Sequence, residues 1–119
     1  MPIPVDEVLE PDTEMSLTIR NEGHTAPRRI PIERKTYTIG RQEGVDILID
    51  NPSVSRQHAR IFFLHDEEII DDLNSTNGTL VNGVRVTRCV LQDNDIIRIG
   101  DATILFSRTA SNETHTAVD

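Results

Sequence analysis

Short apolar segments separated by turn residues recur along most of the chain, and this pattern restricts the fold more than any other feature of the sequence. The clearest example is HARIFFLHDEEIIDD, residues 58–72, where two apolar runs are joined through residues 65–67. Short runs with turn signals roughly every ten residues are typical of β-sandwiches and β-barrels. Because no segment shows a helical period, the sequence predicts an all-β domain of one of these two kinds.

The pattern predicts ten strands and two tight turns. The strands are expected at residues 16–20, 29–32, 36–39, 46–49, 58–64, 68–72, 79–81, 85–86, 95–99 and 103–107. In LVNGVRV, Asn82 and Gly83 stand where a two-residue hairpin turn needs positive φ at both positions. Gly100 and Asp101 in RIGDATI form a similar pattern and predict a second hairpin.

The composition agrees with packed strands in one domain. Only four residues are aromatic, one Tyr and three Phe, so the core is expected to consist mainly of Ile, Val and Leu. A chain of 119 residues can form one compact domain with a sizeable core. We assign residues 15–108 to this domain, residues 1–14 to an acidic flexible tail and residues 109–119 to a flexible C-terminal tail, because the end segments lack sustained periodicity.

The net charge of −8 is concentrated in the two tails. Residues 1–14 contain five acidic residues and residues 109–119 contain two, and neither segment has a basic residue. The part between them has 13 acidic and 12 basic residues. A balanced charge with few aromatic side chains disfavours a general nucleic-acid-binding face. Any anion site in the domain must therefore be a local arrangement.

The cysteine content and the chain start indicate the compartment. Cys89 is the single cysteine and cannot form an internal disulfide, and the first residues lack the basic and apolar pattern of a secretory signal. We therefore expect a reducing, cytoplasmic location and a monomer. No apolar stretch approaches the length that spans a membrane, so no membrane association is expected.

Two polar clusters lie at the open ends of the predicted hairpin. Ser55 and Arg56 precede its first strand, and the run NSTNG, residues 74–78, follows its second strand. Opposed residues of antiparallel strands lie about 4.5–5.5 Å apart, so the two clusters should converge. The preceding strand is only about 13 Å long, which places the loop carrying Arg41 near the same point.

The converging residues can donate many hydrogen bonds to an anion. They are Arg41, Ser55, Arg56, Ser75, Thr76 and Asn77. Two guanidiniums, three hydroxyls and one amide are present, without a carboxylate or an ordinary general base. This chemistry favours a tetrahedral oxyanion, above all a phosphate.

Four segments together resemble the forkhead-associated (FHA) domain family. They are GR at 40–41, SRQH at 55–58, LNSTNGTLVNG at 73–83 and DNDIIRIGDATILF at 93–106, and the resemblance covers roughly residues 15–108. The combination at these spacings is far more specific than any one segment. It implies a β-sandwich of two twisted, mostly antiparallel sheets with about eleven strands, whose loops at one end bind phosphothreonine in an extended peptide.

The resemblance also implies roles for residues at the matching positions. Arg41 would contact the phosphate and the peptide, while Ser55 and Arg56 would bond the phosphate oxygens. Thr76 would add a hydroxyl or backbone contact, and Ser75 would add a weaker one.

The remaining motif residues concern the peptide main chain and the support of the loops. Asn77 matches the asparagine that holds the main chain beside the phosphothreonine. Four residues are expected to support the site: Gly40, His58, Gly78 and Asn82. In the family the histidine braces the loops through hydrogen bonds, so His58 is not expected to contact the ligand.

A hydrolase is one alternative, because Ser55, His58 and either Asp71 or Asp72 contain the residue types of a catalytic triad. The chain has no G-x-S-x-G elbow, and Ser55 and His58 straddle a junction between a loop and a strand. A β-sandwich adapter that binds its partner without phosphate is a second alternative.

A metal site is a third alternative, because DDLNSTNG superficially resembles a calcium loop. The register does not fit: counted from Asp72, the sixth position is Asn77 instead of Gly and the twelfth is Gly83 instead of Glu. The acids of HDEE, residues 65–68, are interpreted as a solvated hairpin tip. We expect no metal, no cofactor and no catalysis.

The sequence therefore predicts a phosphorylation-dependent adapter or regulator. Its partner would be a phosphothreonine-containing protein, with a Ser/Thr kinase upstream. Thr116 and Thr13 are possible phosphorylation sites in the tails. Thr116 lies nine residues after Ser107, a reach of about 30 Å that would allow it to bind its own domain, whereas Thr13 would bind another molecule.

Overall fold

The computed structural model describes residues 13–23 and 26–110, and these residues form an all-β domain. Within them there are eleven strands and no helix. The strands are β1 (Thr13–Asn21), β2 (Arg28–Ile32), β3 (Tyr37–Gly40), β4 (Ile47–Leu48), β5 (Ala59–Leu64), β6 (Glu67–Asp72), β7 (Thr79–Val81), β8 (Val84–Val86), β9 (Arg88–Leu91), β10 (Ile96–Ile99) and β11 (Ala102–Ala110). The all-β prediction is confirmed.

The strands form two sheets that pack face to face. The six-stranded sheet has the order β2-β1-β11-β10-β7-β8, and the five-stranded sheet has the order β4-β3-β5-β6-β9. Pairing is antiparallel throughout the described strands, apart from the parallel pair β3 and β4. This arrangement confirms the sandwich of two mostly antiparallel sheets.

The core follows from the alternation of side chains along each strand. On β1 and β11, Leu17 opposes Phe106 and Ile19 opposes Ile104, and all four are at most 2% exposed. Their neighbours in sequence point to the outer face of the sheet, because successive side chains alternate. Each buried Leu, Ile or Phe contributes about 1.5–3 kcal/mol to the stability of the sandwich.

The hairpin turns agree with the sequence in position and differ in detail. Asn82 and Gly83 have φ values of 51° and 86°, as the first predicted turn requires. At the second turn Gly100 has a φ of 57°, whereas Asp101 is not among the residues with positive φ. The β5–β6 connection is shorter than the predicted three residues, since Glu67 already pairs with Leu64.

Strand β9 was absent from the sequence prediction. Arg88–Leu91 pairs with β6 at the edge of the five-stranded sheet, and its burial pattern has one fully buried residue, Leu91. The charged Arg88 and the short length of the strand obscured the alternation, and only Thr87 separates β9 from β8. The Arg88 guanidinium bonds Asp71 on the neighbouring strand β6, with Nε 2.6 Å from Oδ1.

The interpretation of residues 65–68 as a solvated tip is wrong for Glu68. This residue opposes Phe63 in the β5–β6 ladder and is 0% exposed, because it shares the core-facing side of β6 with Ile70. Neither carboxylate oxygen has a hydrogen-bond partner within residues 13–23 and 26–110. Burial raises the pKa of Glu68 to about 7, although the positive charges of Arg108 and Arg34 act in the opposite direction.

The two long strands define opposite ends of the sandwich. Thr13 pairs with Ala110 at one end, and Asn21 pairs with Ala102 at the other. The strand pair thus continues two residues beyond each of the limits, 15 and 108, that the sequence indicated. Thr13 belongs to β1, whereas Thr116 lies outside the described residues.

Candidate functional site

Three loops at the Asn21 end of the sandwich enclose an open cleft of about 400 Å³. The β3–β4, β4–β5 and β6–β7 loops supply its walls. The lining residues are Arg41, Pro52, Ser53, Val54, Ser55, Arg56, Gln57, Asn74, Thr76 and Asn77. Five of the six residues expected to bind the ligand lie here, and Ser75 does not.

Arg41 is held against the β4–β5 loop by its backbone and its side chain. Its backbone N–H donates to the carbonyl of Ser55 at 3.0 Å, and its Nε donates to the carbonyl of Val54 at 2.7 Å. The side chain is exposed. Since only Nε is bonded within the described residues, the two terminal nitrogens remain available to an anion in the cleft.

Gly40 allows this close approach of two loops. A Cβ atom at Gly40 would overlap the backbone carbonyl of Arg56. That same carbonyl accepts the N–H of Gln42 at 3.1 Å. Any side chain at Gly40 would therefore separate the loops that carry Arg41 and Arg56.

Ser55 connects the β4–β5 loop to the β6–β7 loop. Its Oγ accepts the backbone N–H of Thr76 at 3.0 Å, so the hydroxyl hydrogen remains free to donate to a ligand. The backbone N–H of Ser55 donates to Nδ1 of His58 at 3.0 Å. These two bonds fix both the position and the direction of the hydroxyl group.

His58 braces both loops from inside. It is 0% exposed, and its Nε2 lies 2.8 Å from the carbonyl of Gly78. Because Nδ1 accepts a hydrogen bond, Nε2 must carry the hydrogen and donate it. Burial lowers the pKa of His58, although the Gly78 carbonyl and the Asp72 carboxylate favour the protonated ring. A neutral imidazole thus joins Ser55 to Gly78.

Ser75 supports the β6–β7 loop from below instead of facing the cleft. It is 9% exposed, its Oγ donates to Oδ1 of Asp72 at 2.6 Å, and it accepts the N–H of Gly78 at 2.9 Å. Asp72 also accepts the N–H of Ser75 and the hydroxyl of Thr79. Burial alone would raise the pKa of Asp72, but the bonds from Ser75 and Thr79 outweigh it and lower the pKa.

Asn77 lines the cleft with its amide already oriented. Its Nδ2 donates to the carbonyl of Ser53 at 2.8 Å, which leaves Oδ1 as the group that can accept an N–H from a ligand. Ser53 is itself fixed, since its Oγ donates to Asn51 at 2.7 Å and accepts the N–H of Asp101 at 2.8 Å. The β10–β11 turn thereby supports the cleft.

Sequence reasoning missed Asp72, Asn51 and Ser53 as supports of the site. A signal existed for each, because Asp or Asn two or three residues before a Ser is typical of side-chain-to-backbone turns. Asn51 is 7% exposed and also donates to Oδ1 of Asn21, the last residue of β1.

Asn82 lies away from the cleft, at the opposite end of β7 from Gly78. Its Nδ2 donates to Asp95 at 2.9 Å and its Oδ1 accepts the N–H of Ile96 at 3.0 Å. These contacts join the β7–β8 turn to β10. Asn82 therefore stabilises the sheet and makes no described contact with the binding loops.

The cleft contains two guanidiniums that have no carboxylate partner within residues 13–23 and 26–110. Arg41 and Arg56 are both exposed. The ion pairs that the described residues form join Arg60 and Arg88 to Asp71, and Arg98 to Asp101. An anion with two negative charges that enters the cleft would therefore meet two guanidiniums that no described carboxylate neutralises.

The residue types of a triad do not assemble here. Both ring nitrogens of His58 are bonded to backbone groups, and the Ser55 hydroxyl accepts from Thr76. Asp71 pairs with Arg60 and Arg88, and Asp72 bonds the β6–β7 loop.

Among the described residues, no group of three or more His, Cys, Asp or Glu is placed to hold a metal ion. Nor does that part of the chain contain a helix long and apolar enough to cross a membrane.

Comparisons with known proteins bear on the same region. A family model described as FHA domain matches residues 37–100. An oxoglutarate dehydrogenase inhibitor from Corynebacterium efficiens is 35% identical over 91 residues, which cover 76% of this chain and 64% of that protein. The glycogen accumulation regulator GarA from Mycolicibacterium smegmatis is 33% identical over 91 residues, which cover 76% of this chain and 58% of GarA. The match thus spans less than two thirds of the length of either relative.

Solved structures give a similar result. One chain, from a structural and functional analysis of phosphothreonine-dependent FHA domain interactions, superposes with a TM-score of 0.68 at 32% identity. The superposition covers 77% of this chain and 95% of that one.

Proposed function

The chain belongs to the FHA domain family, and we propose that it binds phosphothreonine in an extended peptide and acts as a phosphorylation-dependent adapter or regulator. The observation that carries this proposal is the cleft that Arg41 and Arg56, unpaired among the described residues, line together with Ser55. A phosphate offers several acceptor oxygens to such donors.

Five of the residues that line the cleft have proposed roles in binding the phosphopeptide. Arg41 and Arg56 bind the phosphate oxygens through their free N–H groups, and Ser55 donates its hydroxyl hydrogen to another oxygen. Thr76 adds its side-chain hydroxyl, since its backbone N–H is bonded to Ser55. Asn77 accepts a main-chain N–H of the peptide through Oδ1. Three or four charge-assisted bonds of about 1.5–3 kcal/mol each, less the cost of association, correspond to a dissociation constant of about 1 μM.

The supporting residues hold the cleft in this shape before the ligand arrives. Gly40, His58 and Gly78 keep the three loops close together, and Ser75 fixes the β6–β7 loop through its bonds to Asp72 and Gly78. A pre-organised site avoids the entropic cost of ordering loops on binding.

The regulatory role is proposed from the kind of protein that this chain is similar to. The two curated relatives are named as an inhibitor and a regulator. By analogy, the partner is a phosphothreonine-containing protein that a Ser/Thr kinase has modified. We propose that the protein works as a cytoplasmic monomer by binding alone, without catalysis, cofactor or metal, and without nucleic acid or membrane as a partner.

The strand register changes the proposal for the tails. Ala110 lies at the end of β11 opposite the cleft, and a strand of nine residues measures about 27 Å. The six residues from Ala110 to Thr116 can cover at most about 22 Å. Phosphorylated Thr116 would therefore fall short of its own cleft, contrary to the sequence expectation, and Thr13 is tied into β1 at the same end. We propose that either residue, if phosphorylated, would bind the cleft of another molecule.

Calorimetry with a degenerate phosphothreonine peptide library and its unphosphorylated counterpart tests the proposed function. The phosphorylated pool should bind in the micromolar range, and the unphosphorylated pool should give no detectable heat. Arg41→Ala should abolish binding, whereas Lys35→Ala, which removes an exposed cation outside the cleft, should not. Equal binding of the two pools would favour a phosphate-independent adapter instead.

A further inference from the structure

A third guanidinium lies at the edge of the β6–β7 loop. Arg85 is the central residue of β8 and pairs with Leu80 on β7, yet its side chain reaches Gly78, two residues nearer the cleft. A Cβ atom at Gly78 would lie 2.7 Å from Nε and 2.9 Å from Cζ of Arg85. The guanidinium therefore lies over the backbone of Gly78, and Arg85 remains exposed to solvent.

Gly78 leaves room for this arrangement and connects it to the cleft. Its φ of 85° belongs to the left-handed region, and it follows directly after Asn77, which lines the cleft. Its own N–H and carbonyl are bonded to Ser75 and His58, so the backbone beneath Arg85 is fixed. A peptide held by Asn77 would pass within one residue of the surface that Arg85 covers.

Arg85 is exposed, and no carboxylate among residues 13–23 and 26–110 forms an ion pair with it. This differs from Arg60, Arg88 and Arg98, which each lie within 4 Å of an aspartate oxygen. Nor does the Arg85 guanidinium form a hydrogen bond within that part of the chain, so its N–H donors remain available. Those donors match the geometry of a carboxylate.

We propose that Arg85 is a specificity-determining residue that contacts an acidic side chain close to the phosphothreonine in the bound peptide. The proposal rests on the proposed function and extends it, because it names a second charged group that the ligand carries. Two guanidiniums bind the phosphate on one side of Asn77, and the third binds a carboxylate on the side of Gly78.

A role in packing alone makes a different prediction. If Arg85 did no more than cover Gly78, its loss would loosen the β6–β7 loop and weaken every phosphopeptide equally. If Arg85 binds a carboxylate, its loss would weaken only the peptides that carry an acid at the right position. Arg85→Gln keeps a long side chain over Gly78 and removes the charge, so it separates these two roles.

The test is calorimetry with phosphothreonine peptides in which one Asp is moved through the three positions on either side, against an all-alanine flank. Wild type should gain about two- to fivefold in affinity at one or more positions, the range of an exposed ion pair. Arg85→Gln should lose this gain while its affinity for the alanine-flanked peptide stays within twofold. Arg85→Lys should retain part of the gain, and Lys35→Gln should behave as wild type.

The gain should also shrink between 50 and 500 mM NaCl, because salt screens exposed charges. Equal gains in wild type and Arg85→Gln at every position, or equal weakening of all peptides by Arg85→Gln, would overturn the assignment of Arg85 while leaving the proposed function intact. Failure of every phosphothreonine peptide to bind wild type would overturn both.

Discussion

Replacing Glu68 by glutamine should stabilise the protein at neutral and alkaline pH. Glu68 is 0% exposed, neither carboxylate oxygen has a hydrogen-bond partner in the described part of the chain, and burial raises its pKa to about 7. Glutamine has nearly the same shape and carries no charge. The substitution therefore removes the cost of burying an ion while the packing against Ile70 and Phe63 changes little.

The magnitude follows from the two pKa values. In the unfolded chain Glu68 should titrate near 4.5, and in the folded protein near 7. The folded state thus holds the proton more tightly, and its stability falls as pH rises from the unfolded pKa through the folded one. The full difference is about 3 kcal/mol of unfolding free energy, of which about 2.5 kcal/mol should develop between pH 5 and pH 8.

Urea unfolding of wild type and Glu68→Gln at pH 5, 6, 7 and 8 measures this directly. The stability difference between the two proteins should widen by about 2.5 kcal/mol over that range. Glu67→Gln is the matched control, because Glu67 is the exposed neighbour on the same strand and should show no such widening. Parallel pH profiles for wild type and Glu68→Gln would show that ionising the buried Glu68 carboxyl group does not lower the free energy of unfolding.

Other substitutions distinguish residues that contact the ligand from residues that hold the binding loops in place. Ser55→Ala should abolish phosphopeptide binding by calorimetry and cost less than about 1 kcal/mol in urea unfolding, whereas His58→Ala should abolish binding and cost about 2–4 kcal/mol. Because burial lowers the pKa of His58, acid should weaken the wild type progressively as pH falls below about 6.5, and this component should be absent from His58→Ala. Asp72→Ala should cost about 2–4 kcal/mol, measured by thermal unfolding, by removing the acceptor of the β6–β7 loop. Gly40→Ala should weaken peptide binding at least tenfold, because a methyl group cannot fit against the Arg56 carbonyl.

The parts of the fold that follow from local periodicity could be predicted from sequence. The β5–β6 hairpin was recognisable from its alternation, and the hairpin geometry alone brought Ser55 towards Thr76. The rest depended on side-chain contacts that periodicity does not reveal. Ser75 and Thr76 are both small hydroxyl residues in one turn, and the bonds from Ser75 to Asp72 decide that Ser75 points inwards.

A charged residue misled the sequence interpretation for a simple physical reason. Glu68 was interpreted as part of a solvated tip, because charged groups are rarely buried without partners. In the structure Glu68 shares the core-facing side of β6 with Ile70 and is 0% exposed.

Amide NMR of the ¹⁵N-labelled protein during titration with a phosphothreonine peptide shows whether the phosphate binds in the cleft. We expect saturable shifts concentrated at Arg41, Ser55, Arg56, Thr76 and Asn77, and no comparable shifts with the unphosphorylated peptide. Shifts centred on the outer face of either sheet, or equal shifts with both peptides, would rule out phosphate-dependent binding in the cleft.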